Sequence, residues 1–203
     1  MSVARQNSPL LRLLRRFRRA RDGVAIVEFA MVLPFLMIAY CGLVDVAQLV
    51  MVNRKVTLLT STLSDLTARM QSAPVAEISN IFEAARTVLL PYDATRASMV
   101  IASVVIDSAG VGRICWSSSY PAGTPAPARG TTVVLPDSVR IPSTSVIMAR
   151  ASYRFTPIIG EVVTGPVTLG DNPIYARPRN GKADGSASIE QIVRSDVNAC
   201  PAF

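Results

Sequence analysis

The sequence predicts an α+β protein in which a long N-terminal transmembrane helix continues into a domain with a second helix and an antiparallel β-sheet. Three observations predict this fold class. An apolar segment covers residues 24–52, apolar residues recur at helical spacing over 49–70 and 78–89, and apolar or alternating segments separated by turns follow from residue 99. Helices followed by a run of strands are typical of α+β architectures.

The composition indicates a folded chain and limits its chemistry. Of the 203 residues, 50% are hydrophobic and 17% are charged, which excludes a disordered chain. Histidine is absent, so Ser-His-Asp, Cys-His and histidine–zinc sites are unavailable. No acidic pair, phosphate loop or nucleophile elbow stands out, so we expect no catalytic residue, no cofactor and no small-molecule substrate.

The positive charge is concentrated at the N-terminus. Residues 1–22 contain seven arginines and one acid, whereas the remainder is almost neutral, so the net charge of +7 describes a short basic segment. We therefore expect no nucleic-acid partner.

The segment 24–52 is expected to span a membrane. Its strongly polar side chains are Glu28, Asp45 and Gln48, and as a helix it would be about 43 Å long, more than a bilayer core requires. The arginines before it predict a cytoplasmic N-terminus, with 1–23 as a basic leader and 53–203 across the membrane. The alternatives are a buried core helix, a conventional signal peptide, or a lipid-modified Cys41 preceded unfavourably by Tyr40.

The junction between the leader and the span carries the most specific motif. Residues 21–29, Arg-Asp-Gly-Val-Ala-Ile-Val-Glu-Phe, resemble a prepilin processing site, with glycine before the cleavage point and glutamate five residues after it. The continuation 28–36, Glu-Phe-Ala-Met-Val-Leu-Pro-Phe-Leu, is similar to the TadE-like pseudopilins of the Tad (tight adherence)/Flp pilus system. The close resemblance covers residues 21–70.

The resemblance implies a location and a set of partners. A prepilin peptidase would cleave between Gly23 and Val24 at the bacterial inner membrane, leaving a pilin-like domain in the periplasm. Other pilin or pseudopilin subunits and the Tad assembly machinery would be the partners, and association with the pilus itself is an open alternative.

Glu28 and Phe29 form the expected pairing and processing motif. In a stack of helices, the Glu28 carboxylate of one subunit would pair with the new Val24 amine of the next, neutralising both charges. The alternative is that Glu28 stays at the membrane interface or interacts with the helix dipole. Pro34 removes one helix hydrogen bond and is expected to kink the span, either as a static bend or as a softened point.

Beyond the span the same helix is expected to continue to about residue 70. Its apolar stripe either packs on the chain's own sheet or contacts other subunits. The stripe consists of Leu49, Val52, Val56, Leu59, Leu63, Leu66 and Met70. A second helix is expected from Pro74 to about Leu90. Strands are expected at 99–106, 113–119, 131–135, 146–155 and within 158–169, with 170–188 mainly loop.

Two cysteines, Cys115 and Cys200, lie beyond the span. An even pair in an oxidising compartment favours a disulfide, and two free buried thiols are the alternative. With Cys41 in the span and no histidine, a metal site is not expected.

Three hypotheses for function follow. The first is a structural protein, a TadE-like minor pilin or pseudopilin cleaved after Gly23 that takes part in assembling an adhesive pilus. The second is an uncleaved, membrane-anchored accessory protein similar to TadG. The third is a membrane-tethered periplasmic enzyme or binding module.

Overall fold

The computed structural model describes residues 22–157 and 165–200. Contacts divide the chain into two compact units, Met1–Asp45 and Val46–Phe203. The expected basic leader, the arginines within it and the segment 158–164 lie largely or wholly outside the described residues.

Helix α1 spans Asp22–Ala68 without interruption. In the first unit every side chain from Gly23 to Tyr40 is exposed. In the second unit the stripe predicted from the heptad-like spacing turns inward: Val52, Val56, Leu59 and Leu63 are at most 1% exposed. This stripe packs within its own chain, which is the intramolecular one of the two interpretations that the sequence allowed.

Helix α2 spans Val75–Arg86, and Pro74 precedes it in an extended conformation that suits the N-terminal end of a helix. A short 3-10 helix, Thr87–Leu89, continues it, so the helical segment ends one residue before the expected Leu90. Its buried residues are Ile78, Ile81, Phe82 and Ala85. They join the stripe of α1 in one core on a single face of the sheet.

The strands are antiparallel throughout. Their bounds are β1 Ala97–Ile106, β2 Gly112–Tyr120, β3 Thr132–Val133, β4 Thr144–Phe155, β5 Val167–Gly170, β6 Ile174–Ala176, β7 Lys182–Asp184 and β8 Ile189–Gln191. The main sheet has the order β3-β2-β1-β4-β5, with β6 also pairing with β4, and β7 and β8 form a separate two-stranded sheet.

The central strands are buried on both faces. Met99, Ile101, Ile147 and Ala149 point toward the helices. The opposite face carries a second, smaller core around Val104, covered by Leu135. A strand covered on both sides reads as a continuous apolar run, which is how β1 appears in the sequence.

The α+β fold class is confirmed, and the differences from expectation are local. The segment 170–188 was expected to be mainly loop, yet it contains β6 and β7. These strands are three residues long and depend on partners elsewhere in the chain: β6 pairs with Ile147–Ala149, and β7 with β8. Such pairing leaves no local periodicity to recognise.

Candidate functional site

The expected cleavage point lies within α1. The described part of this helix starts at Asp22, and Gly23 and Val24 are both helical. A Cβ placed on Gly23 would meet no atom within 4 Å. Among the described residues, nothing therefore packs against this glycine, and a peptidase that binds extended chain would first have to unwind the helix here.

Glu28 stands on the same face of α1 as Val24, one turn further along. Its side chain is exposed, as are those of Val24 and Phe29, at 57% and 60%. Within the part of the chain that the structure describes, Glu28 makes no hydrogen bond or ion pair. A carboxylate among apolar side chains is costly without a partner, so a second molecule is the natural source of one.

Pro34 lies inside α1, and the helix continues through it. Because proline has no amide hydrogen, the carbonyl group of Ala30 loses its usual helical donor. Cys41, further along, is a free thiol of intermediate exposure.

The surface of α1 in the first unit is almost wholly apolar. Within the described part of the chain, α1 is long and apolar enough over Gly23–Ala68 to cross a membrane. Its mean hydropathy is 2.2 over the most apolar window. None of that window is buried within the protein. A long, exposed apolar helix of this kind suggests membrane anchoring, since water would solvate it poorly. Its most exposed large side chains are Ile26, Met31, Phe35, Tyr40 and Leu43.

Cys115 and Cys200 are joined by a disulfide with a sulfur–sulfur distance of 2.14 Å. Both residues are buried, and the bond attaches the C-terminal segment to β2. Closing a loop of 85 residues would stabilise the fold by about 4 kcal/mol in the chain-entropy account.

A cluster around Arg194, which the sequence did not reveal, holds the same C-terminal segment. The Arg194 guanidinium lies over the Trp116 ring, 5.4 Å from its centroid, and donates to the Ser117 carbonyl at 3.0 Å and the Ser118 hydroxyl at 2.8 Å. The Trp116 indole donates to the Ile192 carbonyl at 2.7 Å. The hydrogen bond from Arg194 holds the pKa of Asp196 below its ordinary value.

Gln191 completes this attachment. Its side-chain amide donates to the Cys200 carbonyl at 2.8 Å, and its side-chain oxygen accepts from the Cys200 amide at 3.3 Å. Gln191 lies nine residues from Cys200 and forms no recurring pattern with it, so the sequence offered no signal for this contact.

The described residues contain no group of three or more acidic, cysteine or histidine side chains placed to hold a metal ion. The described part of the domain carries open grooves. One contains the ion pair of Arg150 and Asp171, and another is lined by Arg96, Arg154, Thr156 and Pro166.

Comparison with known families identifies one segment. Residues 23–62 match the family model of TadE-like proteins, and the match lies entirely within α1. No curated protein and no solved structure matches the chain. The chain thus carries a TadE-like N-terminal helix, which is the resemblance expected from its motif and indicates a protein related to Tad pilus assembly. This family is one of structural and assembly proteins.

Proposed function

We propose that this protein is a minor pilin or pseudopilin of a Tad/Flp-type adhesive pilus, made as an inner-membrane precursor and cleaved after Gly23 by a prepilin peptidase. The single observation that carries the proposal is the TadE-like match over 23–62, which begins at the glycine of the expected cleavage site. In this proposal 24–52 spans the membrane once, 1–23 is cytoplasmic and 53–203 is periplasmic.

The described geometry is consistent with assembly by helix packing. α1 presents exposed apolar side chains around Glu28, and the stripe from Val52 to Leu63 is already used within the chain. The helix surface left for other subunits therefore includes the whole segment before Asp45. There the Glu28 carboxylate would meet the Val24 amine that cleavage creates on a neighbouring subunit.

Processing provides the direct test. The full chain is expressed in membranes with and without a prepilin peptidase, and its N-terminus is sequenced. We expect a mature chain that begins at Val24 only when the peptidase is present. Gly23→Ile should block cleavage, because a β-branched side chain hinders the close approach of the peptidase to this bond. Gly42→Ile, at a second helical glycine with no atom within 4 Å of its added Cβ, is the matched control and should be cleaved normally.

A second candidate is an uncleaved membrane-anchored accessory protein of the same machinery. The observation that favours it is the helical conformation of Gly23 and Val24, which a peptidase would have to unwind. Retention of residues 1–23 in the presence of an active peptidase would support this candidate and contradict the first.

A further inference from the structure

A basic edge of the second unit lies level with the end of the apolar run of α1. The position of this edge along the axis of α1 can be derived from the contacts of β4. Val56 lies beside Ala151, because a Cβ placed on Gly170 would fall 2.5 Å from the Val56 side chain and 2.6 Å from the Ala151 carbonyl oxygen. At the other end of the same helix, the Arg179 amide donates to the Ala68 carbonyl at 2.8 Å.

These contacts fix the direction of β4. β6 precedes Arg179 in the chain and pairs with Ile147–Ala149. The start of β4 therefore lies toward Ala68 and its end toward the part of α1 around Val52. Arg154 is three residues beyond Ala151, about 10 Å along the strand, which corresponds to about seven residues of helix. Arg154 is therefore level with about residue 49, close to where the apolar run ends at Val52.

Arg96 lies at the same level, at the end of the short 3-10 helix Ala94–Arg96 that leads into β1. It immediately precedes Ala97, which pairs with Tyr153 of β4. Its guanidinium donates to the Thr156 hydroxyl at 3.2 Å. Arg96, Arg154, Thr156 and Pro166 line an open groove of about 380 Å³, here called the basal groove.

Among the described residues, the charge of the basal groove is only partly compensated. The Asp93 carboxylate lies 3.6 Å from the Nε atom of Arg96. It also accepts hydrogen bonds from the amide and the hydroxyl of Thr95, at 2.9 and 2.7 Å. Arg154 is exposed and has no hydrogen-bond or ion-pair partner among residues 22–157 and 165–200. Two guanidinium groups beside a hydroxyl form a phosphate-binding arrangement.

The flanking residues have the character of a membrane interface. Arg54 is exposed on α1 immediately after the apolar run, and Met51 is 58% exposed within it. Lys55 of α1 donates to the carbonyl groups of Val88 and Leu90, at 3.1 and 2.6 Å. These hydrogen bonds hold the segment between α2 and β1 against α1 near the end of the apolar run. Leu90 itself is 64% exposed. Exposed apolar side chains next to arginines are typical of protein surfaces at lipid headgroups.

We propose that the basal groove binds the phosphate of an anionic phospholipid headgroup, so that this edge of the domain rests on the membrane. The proposal rests on the membrane anchoring that is part of the proposed function. A shallow, half-exposed groove would retain a free anion weakly. A helix that keeps it at headgroup depth raises the local concentration of phosphate and favours the lipid as the occupant.

The test uses the full chain in nanodiscs of phosphatidylcholine, with or without phosphatidylglycerol, and measures amide hydrogen exchange in segments 93–98 and 153–157. We expect exchange to be about threefold slower in the anionic nanodiscs, and this difference to disappear in high salt. Arg154→Gln should abolish the difference without breaking any described ion pair. Arg96→Gln should reduce it.

The control is the double variant Arg69→Gln, Arg179→Gln, at the opposite end of the same unit, where both arginines contact Asp65. It should keep the full lipid-dependent difference. Equal exchange in the two nanodiscs, for a chain that inserts in both, would overturn the headgroup proposal alone. Failure to insert in either would overturn the membrane anchoring as well. The same slowing produced by inorganic phosphate in neutral nanodiscs would assign the groove to a soluble anion and contradict the lipid assignment.

Discussion

Glu28 is the single charged residue between Val24 and Val44. An unpaired charge costs about 2.5–3.5 kcal/mol at the centre of a membrane-spanning helix, and Glu28, one turn from the end of the apolar segment, would pay part of this cost. The described part of this chain offers it no partner, so the proposed function requires a cation from another subunit. Removal of this charge alone therefore tests whether a neighbouring subunit supplies the cation.

Glu28→Gln keeps the size of the side chain and removes the charge. We expect normal processing at Gly23 and at least about a tenfold loss of cross-linked subunit pairs in membranes, since breaking a buried ion pair costs several kcal/mol. Glu77→Gln, at an exposed acid in the first turn of α2, is the control and should assemble normally. A Glu28→Gln chain that is processed and also assembles fully would remove the pairing role.

Asp196 makes the Arg194 cluster sensitive to acid. Because its pKa is lower in the folded state, the ion pair stabilises the fold above about pH 4, and this stabilisation is lost as the pH falls through the folded pKa. Asp196→Asn should lower the free energy of unfolding at pH 7 by about 1 kcal/mol or less, since the carboxylate is 43% exposed. The difference from wild type should shrink in acid.

The measurement is urea unfolding in detergent at several pH values, followed by the fluorescence of Trp116, the only tryptophan. Asp137→Asn is the control, because its carboxylate is 89% exposed and pairs with Arg140 on the surface. A difference between wild type and Asp196→Asn that stays constant below pH 4 would contradict the assignment of the acid sensitivity to this pair.

At the scale of the element, the packing of α1 on the sheet depends on Gly170 at the end of β5. Its φ is +85°, a conformation that side chains with a Cβ adopt rarely, and the space for a Cβ is already filled by Val56 and the Ala151 carbonyl. The backbone of β5 therefore approaches helix and strand more closely than any other residue would allow.

Gly170→Ala should lower the free energy of unfolding by roughly 2–4 kcal/mol, combining backbone strain with displacement of α1 or β4. Gly110→Ala is the matched control. Its φ is +81°, but no atom lies within 4 Å of the added Cβ, so only strain of roughly 1 kcal/mol is expected. Equal losses in the two variants would show that close packing at Gly170 contributes nothing.

Elements with a strong local period were predictable from the sequence. The helical spacing of the stripe from Val52 to Leu63 and the alternation of apolar residues in β4 both predicted the faces that the structure buries. The extent of α1 was also close, ending at Ala68 instead of about residue 70. β6 and β7 could not be predicted, because three residues show no period and their pairing partners are distant in sequence.

Across the whole molecule, the sequence could propose candidate site residues only where a motif is local. Gly23, Glu28 and Pro34 lie within one short segment, and their roles in processing, pairing and bending stay predictions. The Arg194 cluster and the basal groove bring together residues as much as 77 positions apart, and only folding makes them neighbours. The disulfide was predictable only in part. The number of cysteines suggested the pair, but nothing in the sequence indicated its contacts with Gln191.

The central claim is that α1 anchors this protein in a membrane. Alkaline carbonate extraction of membranes from cells that express the full chain tests it most directly, because the treatment releases peripheral proteins and leaves membrane-spanning ones in the pellet. We predict that the chain stays in the pellet and is solubilised only by detergent. Recovery of the full-length chain in the carbonate supernatant, or in the soluble fraction before extraction, would contradict the account.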